Sequence, residues 1–238
     1  MDISPFWISL KVAVFATFFA LVFGMIAARL ISKRSKSKFF WDSILLLPLV
    51  LPPTVTGFFL LILFGKNTHI GRFMASAGID IIFTVRGAVM AAFVVSFPII
   101  YRTLRGAFDN INKDLVDVAR ICGYGEVGVF FNVYIPLCWQ EIAAGTIIAF
   151  ARAIGEFGAT IMVAGNIPGR TKTMSTAVYT AMQSGNRQEA YRWVVLILAF
   201  SLCFLFIVNL WSGRQYTDDA KTRRNRVLSG THGKKERS

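Results

Sequence analysis

The chain is poor in the residues that do chemistry. Its three cysteines, Cys122, Cys138 and Cys203, form no CxxC pair, and its two histidines, His69 and His232, lie far apart without ligand-like neighbours. A disulfide framework and a zinc site are both disfavoured on that count, and the cysteines read as free thiols. Acidic residues number 13 against 26 Lys and Arg, and charged residues of both signs make up only 16% of the sequence. There is no nucleophile elbow, no zinc-binding helix motif and no pair of exposed catalytic carboxylates. Gly65-Lys66-Asn67-Thr68 looks like a piece of a phosphate-binding loop, but the GxxxxGKS/T spacing is missing. If this protein does work, another chain supplies the energy, and no cofactor is expected here.

What the chain has in quantity is apolar surface, at 55% of 238 residues. That composition predicts an all-α integral membrane protein. A membrane-spanning helix needs about 20 mostly apolar residues, and residues 8–30, 44–64, 87–103, 139–164 and 193–211 supply five such spans. The formal net charge of +13 sits beside these runs, so positive-inside bias explains it better than a nucleic-acid groove does. The opening MDISPFW has no basic region or small-residue cleavage site, so the first run reads as a retained span, with Lys11 close enough to its start to snorkel outward.

Arg29, Lys33, Arg34, Lys36 and Lys38, opposed only by Asp42, place the first loop in the cytoplasm and the N-terminus outside. The basic tail, residues 213–238, has too little apolar content to fold alone and is expected to be disordered and inside. The organisation predicted is a transmembrane domain over residues 1–212 followed by that tail. Pro48, Pro52 and Pro53 interrupt the second span, and Pro98 is a candidate kink in the third. No inverted repeat is visible, and five spans are few to enclose a solute path, so a second copy of the chain is expected.

The loop at residues 104–136 is the polar centre of this pattern. Phe108, Ile111, Leu115, Val118 and Cys122 recur at helical spacing and define one apolar face, with Asp109, Lys113, Asp114, Asp117 and Arg120 mostly opposite. Asn112 suits an N-cap, Asp114 the first turn, and Gly123 a left-handed C-cap. A second short helix over residues 126–133 is expected to stop at Pro136. Such a pair makes a docking surface or, alternatively, a helix lying among lipid headgroups.

Asp117-Val118-Ala119, three residues, Gly123, nine residues, then Val133-Tyr134-Ile135-Pro136 closely resembles the EAA loop of binding-protein-dependent ABC transporter permeases. That pattern is Glu-Ala-Ala, three residues, Gly, nine residues, Ile-x-Leu-Pro, so Asp117, Val118, Val133 and Ile135 depart from it conservatively. The segments LLLPLVLPPTVTGFFLL, RGAVMAAFVVSFP and AFARAIGEFGATIMVAGNIPGRTKT extend the likeness over nearly the whole chain, to molybdate permease subunits. The resemblance implies a type I importer fold whose loop forms a coupling helix, with Asp117, Ala119 and Gly123 at the contact with a separate ATPase that holds ATP and Mg. It further implies an extracytoplasmic molybdate-binding protein as a partner. Tungstate and sulfate permeases share much of this pattern and stay open as alternatives. A secondary transporter or channel is the alternative of a different class.

Arg152 and Glu156 lie four apart on the fourth span and can pair. At 1.5 Å per residue from Trp139, Arg152 sits roughly 20 Å along the helix, well inside the bilayer. The pair either fixes helix packing or lines and locks an oxyanion path. Gly155, Gly158 and Ala159 permit close helix approach, and Thr160 either donates to an anion or bonds its own helix carbonyl. Arg152, Glu156, Phe157, Gly158 and Thr160, with Pro52 and Pro53 of the second span, are the candidate path or gate residues. Arg170 and Lys172, in the outer segment, could meet an acidic lobe of a binding protein or be plain solvated charges.

Overall fold

The computed structural model describes residues 2–32 and 38–210. Lys33, Arg34 and Lys36, Trp211 and the basic tail, on which the expected orientation leaned, lie outside the described residues. Every element among those described is helical: α1 (Ser4–Ser32), α2 (Lys38–Val50), α3 (Pro53–Phe64), α4 (His69–Ser76), α5 (Val85–Asp109), α6 (Lys113–Ile121), α7 (Glu126–Leu137), α8 (Trp139–Ile154), α9 (Gly158–Ala164), α10 (Met174–Gln183) and α11 (Arg187–Leu210). Of these, α1, α5 and α11 are each long and apolar enough to cross a membrane unaided. The chain divides into two compact units at Ala190–Tyr191. Taken by itself, α11 is a strongly apolar helix exposing Val195, Leu198, Leu202, Leu205 and Phe206.

In the first unit α5 is the central post. It lies parallel to α1: Ile8, Val12 and Ala16 pack with Ala88 and Ala92 at one end, and Ala28 and Ile31 with Leu104 and Phe108 at the other. Their contact is made of small residues, with Ala13, Ala16, Ala20, Ala88 and Ala92 all fully buried. Lipid tails are as apolar as leucine, so membrane helices associate through close packing, which small side chains permit. Gly24 marks the tightest point, where an added Cβ would stand 2.8 Å from the Ile100 side chain. Because α1 and α5 run the same way, the segment between them returns along the length of the unit through α2 and α3. α8 runs antiparallel to α5: Cys138 and Ala149 join the cluster around Phe108, and Ala153 joins the one around Ala88. α9 then packs with α3 and α5 through Ala159, Val163, Leu60, Ala91 and Val95.

Three spans differ in course or start from those expected. The second is two helices bent by 110° at Leu51–Pro52. Each residue before a proline is pushed out of the α region, so the Pro52-Pro53 pair forces the chain open there, with Pro52 at φ −53° and ψ 135°. The fourth breaks at Gly155-Glu156-Phe157, between α8 and α9. The last begins at Arg187, six residues before Trp193. By contrast, helix α5 continues through Pro98.

In the polar segment, α7 passes through Pro136 and ends at Leu137, followed by a 76° bend into α8. A wide π turn at Phe130–Tyr134 precedes the proline and absorbs its missing N–H donor. The segment after α9 is tied down by the capping box of Thr173 and Thr176 at the start of α10, and by Ser9 Oγ of α1, which accepts from Met174 N at 2.8 Å. All three cysteines are free thiols, Cys138 buried and the other two exposed.

Candidate functional site

The expected residues fall into two places. The first is the α6–α7 pair. Asn112 Oδ1 accepts from Asp114 N at 2.9 Å, capping α6. Gly123 takes φ +90°, and the backbone bonds Gly123 N to Arg120 O and Tyr124 N to Ala119 O close the helix as a Schellman-type turn. Caps and first turn follow the spacing. The buried face does not.

Val116 is buried and Ala119 half-buried, whereas Leu115, Val118, Ile121 and Cys122 are exposed. Val118 is 56% and Ile121 85% exposed. Phe108 belongs to the end of α5 and is buried against the rings of Tyr134 and Phe130. The periodic stripe was real, but the helix starts at Lys113 and turns it outward, because Val116 sits over the Phe108 cluster instead. Tyr124 and Val127 extend the exposed apolar patch. Asp117 and Gly123 lie exposed beside it, Val133 and Ile135 are half-buried in α7, and Pro136 is exposed.

Charges clamp this pair to the bundle. Glu126 bridges Arg120 at 2.9 Å and Arg29 of α1 at 2.9 Å. Arg29 also donates to Tyr134 Oη at 2.8 Å and lies 4.0 Å over that ring. Arg120 pairs with Asp117 as well, and the Glu126 carboxylate beside its guanidinium, with a lesser part from Asp117, raises the arginine pKa above its usual value. One step further in, Asp109 accepts from Ser32 Oγ at 2.8 Å and pairs with Lys38 at 2.7 Å and with Arg105. Asp42, which accepts from Tyr101, sits 3.7 Å from Arg105 Nε. The ends of α1, α2 and α5 are thus tied together directly behind α6. Arg29 was visible in sequence only as part of a basic cluster, and Glu126 only as the start of the second short helix; their pairing across 97 residues had no local signal.

The second place is where the two broken helices meet. An added Cβ on Gly57 would stand 2.8 Å from Ala159 Cα, and one on Gly158 would stand 3.1 Å from Pro53 Cβ. The first turns of α3 and α9 therefore touch backbone to backbone. Glu156 lies in the break, only 3% exposed. Its Oε1 accepts from Ala159 N at 2.8 Å, capping α9, and its Oε2 accepts from Arg152 Nη1 at 2.6 Å. The Arg152–Glu156 pair forms as spaced, but across a helix end rather than along one helix. Phe157 packs on Tyr179 of α10 with ring centres 5.0 Å apart. Thr160 is 1% exposed and its hydroxyl has no hydrogen-bond partner among the described residues, so the expected bond to its own helix is not made. Pro53 joins the Gly158 contact, while Pro52 is exposed at the break. Gly57 and Tyr179 were missed, since neither stands out until distant segments are brought together.

Among the described residues no group of three His, Cys, Asp or Glu side chains could hold a metal ion. What the arrangement offers is mechanical: an exposed apolar helix clamped to a bundle in which the breaks before α3 and α9 lie where those two helices touch. Residues 20–215 match the family described as binding-protein-dependent transport system inner membrane component, and the chain belongs to that family. It is thus a multi-pass membrane permease subunit. The chain is 41% identical over 210 residues, 87% of it and 91% of its relative, to the molybdenum transport system permease protein ModB of Escherichia coli K12. It is 35% identical over 217 residues, 90% of it and 95% of the relative, to the ModB protein of Haemophilus influenzae. A crystal structure of a bacterial ABC transporter involved in import of the acidic polysaccharide alginate shares the fold at a TM-score of 0.72 and 15% identity, covering 89% of this chain and 79% of that one.

Proposed function

We propose that the chain is the permease subunit of an ATP-driven importer carrying molybdate across the cytoplasmic membrane. The observation that carries this is the outward-turned apolar face of α6, Leu115, Val118 and Ile121, on a capped helix locked to the bundle through Arg29 and Glu126. Contiguous exposed apolar surface rimmed by charge marks a partner site. In this reading Asp117, Val118, Ala119 and Gly123 meet a separate ATPase that binds ATP and Mg, while Val133, Ile135 and Pro136 carry the motion into α8. The parallel run of α1 and α5 and the antiparallel run of α8 support five crossings, with α2–α3 and α8–α9 each making one. The N-terminus is then outside and the α6–α7 end cytoplasmic. Two copies enclose the path, and an extracytoplasmic binding protein delivers the anion. The relatives named for molybdenum transport support molybdate as the cargo.

The jointed core supplies the gate. Arg152, Glu156, Phe157, Gly158 and Thr160, facing Pro52 and Pro53, form a hinge whose angle changes while the Arg152–Glu156–Ala159 bonds hold α8 to α9. A ligand shifts a two-state element only through differential affinity for its states. Here the two states of the ATPase, closed with ATP and open after hydrolysis, grip α6 differently.

The test is co-purification followed by uptake. A Walker-motif ATPase should accompany the wild-type chain and be lost with Gly123→Asp. In vesicles holding the complex and its binding protein, ATP-dependent molybdate uptake should outcompete sulfate, with tungstate as the informative competitor. Accumulation by this chain alone, driven by an ion gradient without nucleotide, would overturn the reading.

A further inference from the structure

The transport reading leaves one surface unused. Away from α6 and α7, helices α1, α4 and α5 enclose a groove of about 470 Å³ lined by Phe15, Phe19, Phe23, Met90 and Phe93. Phe15, Phe19 and Phe23 recur every fourth residue, so they share one face of α1, and each remains about half exposed, at 53%, 41% and 52%. Val85 and Arg86 line this groove and also a second, polar cleft of about 530 Å³, which adds Lys11, Arg170 and Asp80. An apolar trough therefore opens directly beneath three cations.

Those cations are available. Asp80 is paired with Lys66 at 3.9 Å, and among the described residues no carboxylate lies within ion-pair distance of Lys11, Arg86 or Arg170. Arg86 makes one long bond, 3.5 Å, to Gly78 O. The dimensions fit one leaflet. At 1.5 Å per residue, Lys11 to Phe23 spans about 18 Å, close to half the hydrocarbon thickness plus a headgroup contact. A two-fold axis through this groove is disfavoured, because it would bring the same cationic cluster from each copy together. A free anion has no use for the phenylalanine stripe.

We propose that this groove holds one anionic glycerophospholipid of the leaflet opposite the α6–α7 end. Its acyl chain lies along Phe15, Phe19 and Phe23, and its phosphate sits between Lys11 and Arg86, with Arg170 at the rim. Guanidinium and ammonium groups both bind phosphate by charge-assisted hydrogen bonds, and long basic side chains reach the headgroup level from apolar surroundings.

The test is native mass spectrometry of the full chain in detergent, titrated with phosphatidylglycerol or with phosphatidylcholine carrying identical acyl chains. One phosphatidylglycerol per chain should be retained about thirtyfold better than phosphatidylcholine, the margin expected of two basic groups at an anionic headgroup. The Lys11→Gln/Arg86→Gln double variant should erase that preference and leave phosphatidylcholine retention and the lipid-free unfolding midpoint unchanged. Phe19→Asp should weaken both lipids. Equal retention of the two lipids by the wild-type chain, or an unchanged preference in the double variant, overturns the proposal. So does displacement of the lipid by free glycerol phosphate, and so does a disulfide between copies carrying Phe19→Cys in native membranes.

Discussion

The α6–α7 pair and the α3–α9 contact handle charge and apolar surface in opposite ways. In the α6–α7 pair the charged residues Arg120, Asp117 and Glu126 pair on the surface, and the apolar residues Leu115, Val118 and Ile121 face out. At the α3–α9 contact the carboxylate of Glu156 is buried and the neighbouring surface is glycine and alanine, packed to backbone distance. Exposed apolar groups cost little to the isolated chain and are stabilised by a partner. A buried charge is strongly destabilising unless its own chain satisfies it. One region is therefore unfinished without something outside the subunit. At the other, the buried carboxylate finds both its partners, Arg152 and the Ala159 N–H, within the subunit.

The contrast can be tested from its strongest point outward. Arg152→Gln leaves Glu156 buried with a single backbone donor, and should destabilise the purified protein by about 3 kcal/mol in thermal or denaturant unfolding. Adding Glu156→Gln to that variant should recover part of the loss, and no recovery would mean that the pair is not the cause. Gly57→Ala places a methyl 2.8 Å from Ala159 Cα and should cost about 1–3 kcal/mol by overpacking, with uptake falling alongside stability. Val118→Asp belongs to the other region. It should leave the unfolding midpoint unchanged while reducing ATPase capture at least about tenfold, or about 1.4 kcal/mol of binding. A drop in the midpoint instead would mean that the α6 face is packed within the subunit. Asn112→Ala should show the smallest effect, about 1 kcal/mol from the lost cap of α6, read as faster amide exchange confined to residues 113–121.

Much of this was readable along the chain, and the parts that were share a property. The caps of α6 at Asn112 and Gly123, the positions of α1 and α5, and the capacity of Arg152 to pair with Glu156 all depend on residues within a turn or two of each other. The orientation of the α6 stripe did not follow, because periodicity says that a face exists without saying what lies opposite. Only the packing of Val116 over Phe108 decides that Leu115 and Val118 look outward. The double proline at 52 and 53 announced trouble in the second span, but the 110° bend needs α9 to fill the space it opens.

The sequence by itself determined the class of molecule, the apolar runs and the motif-bearing loop, since hydropathy, capping and spacing are local properties that solvent or lipid enforces wherever the chain goes. Tertiary structure alone decided that the fourth span breaks at residues 155–157, that Gly57 meets Ala159, and that Arg29 reaches Glu126 and Tyr134. Those contacts join segments about a hundred residues apart, and their geometry depends on how whole helices cross rather than on any residue's own preference.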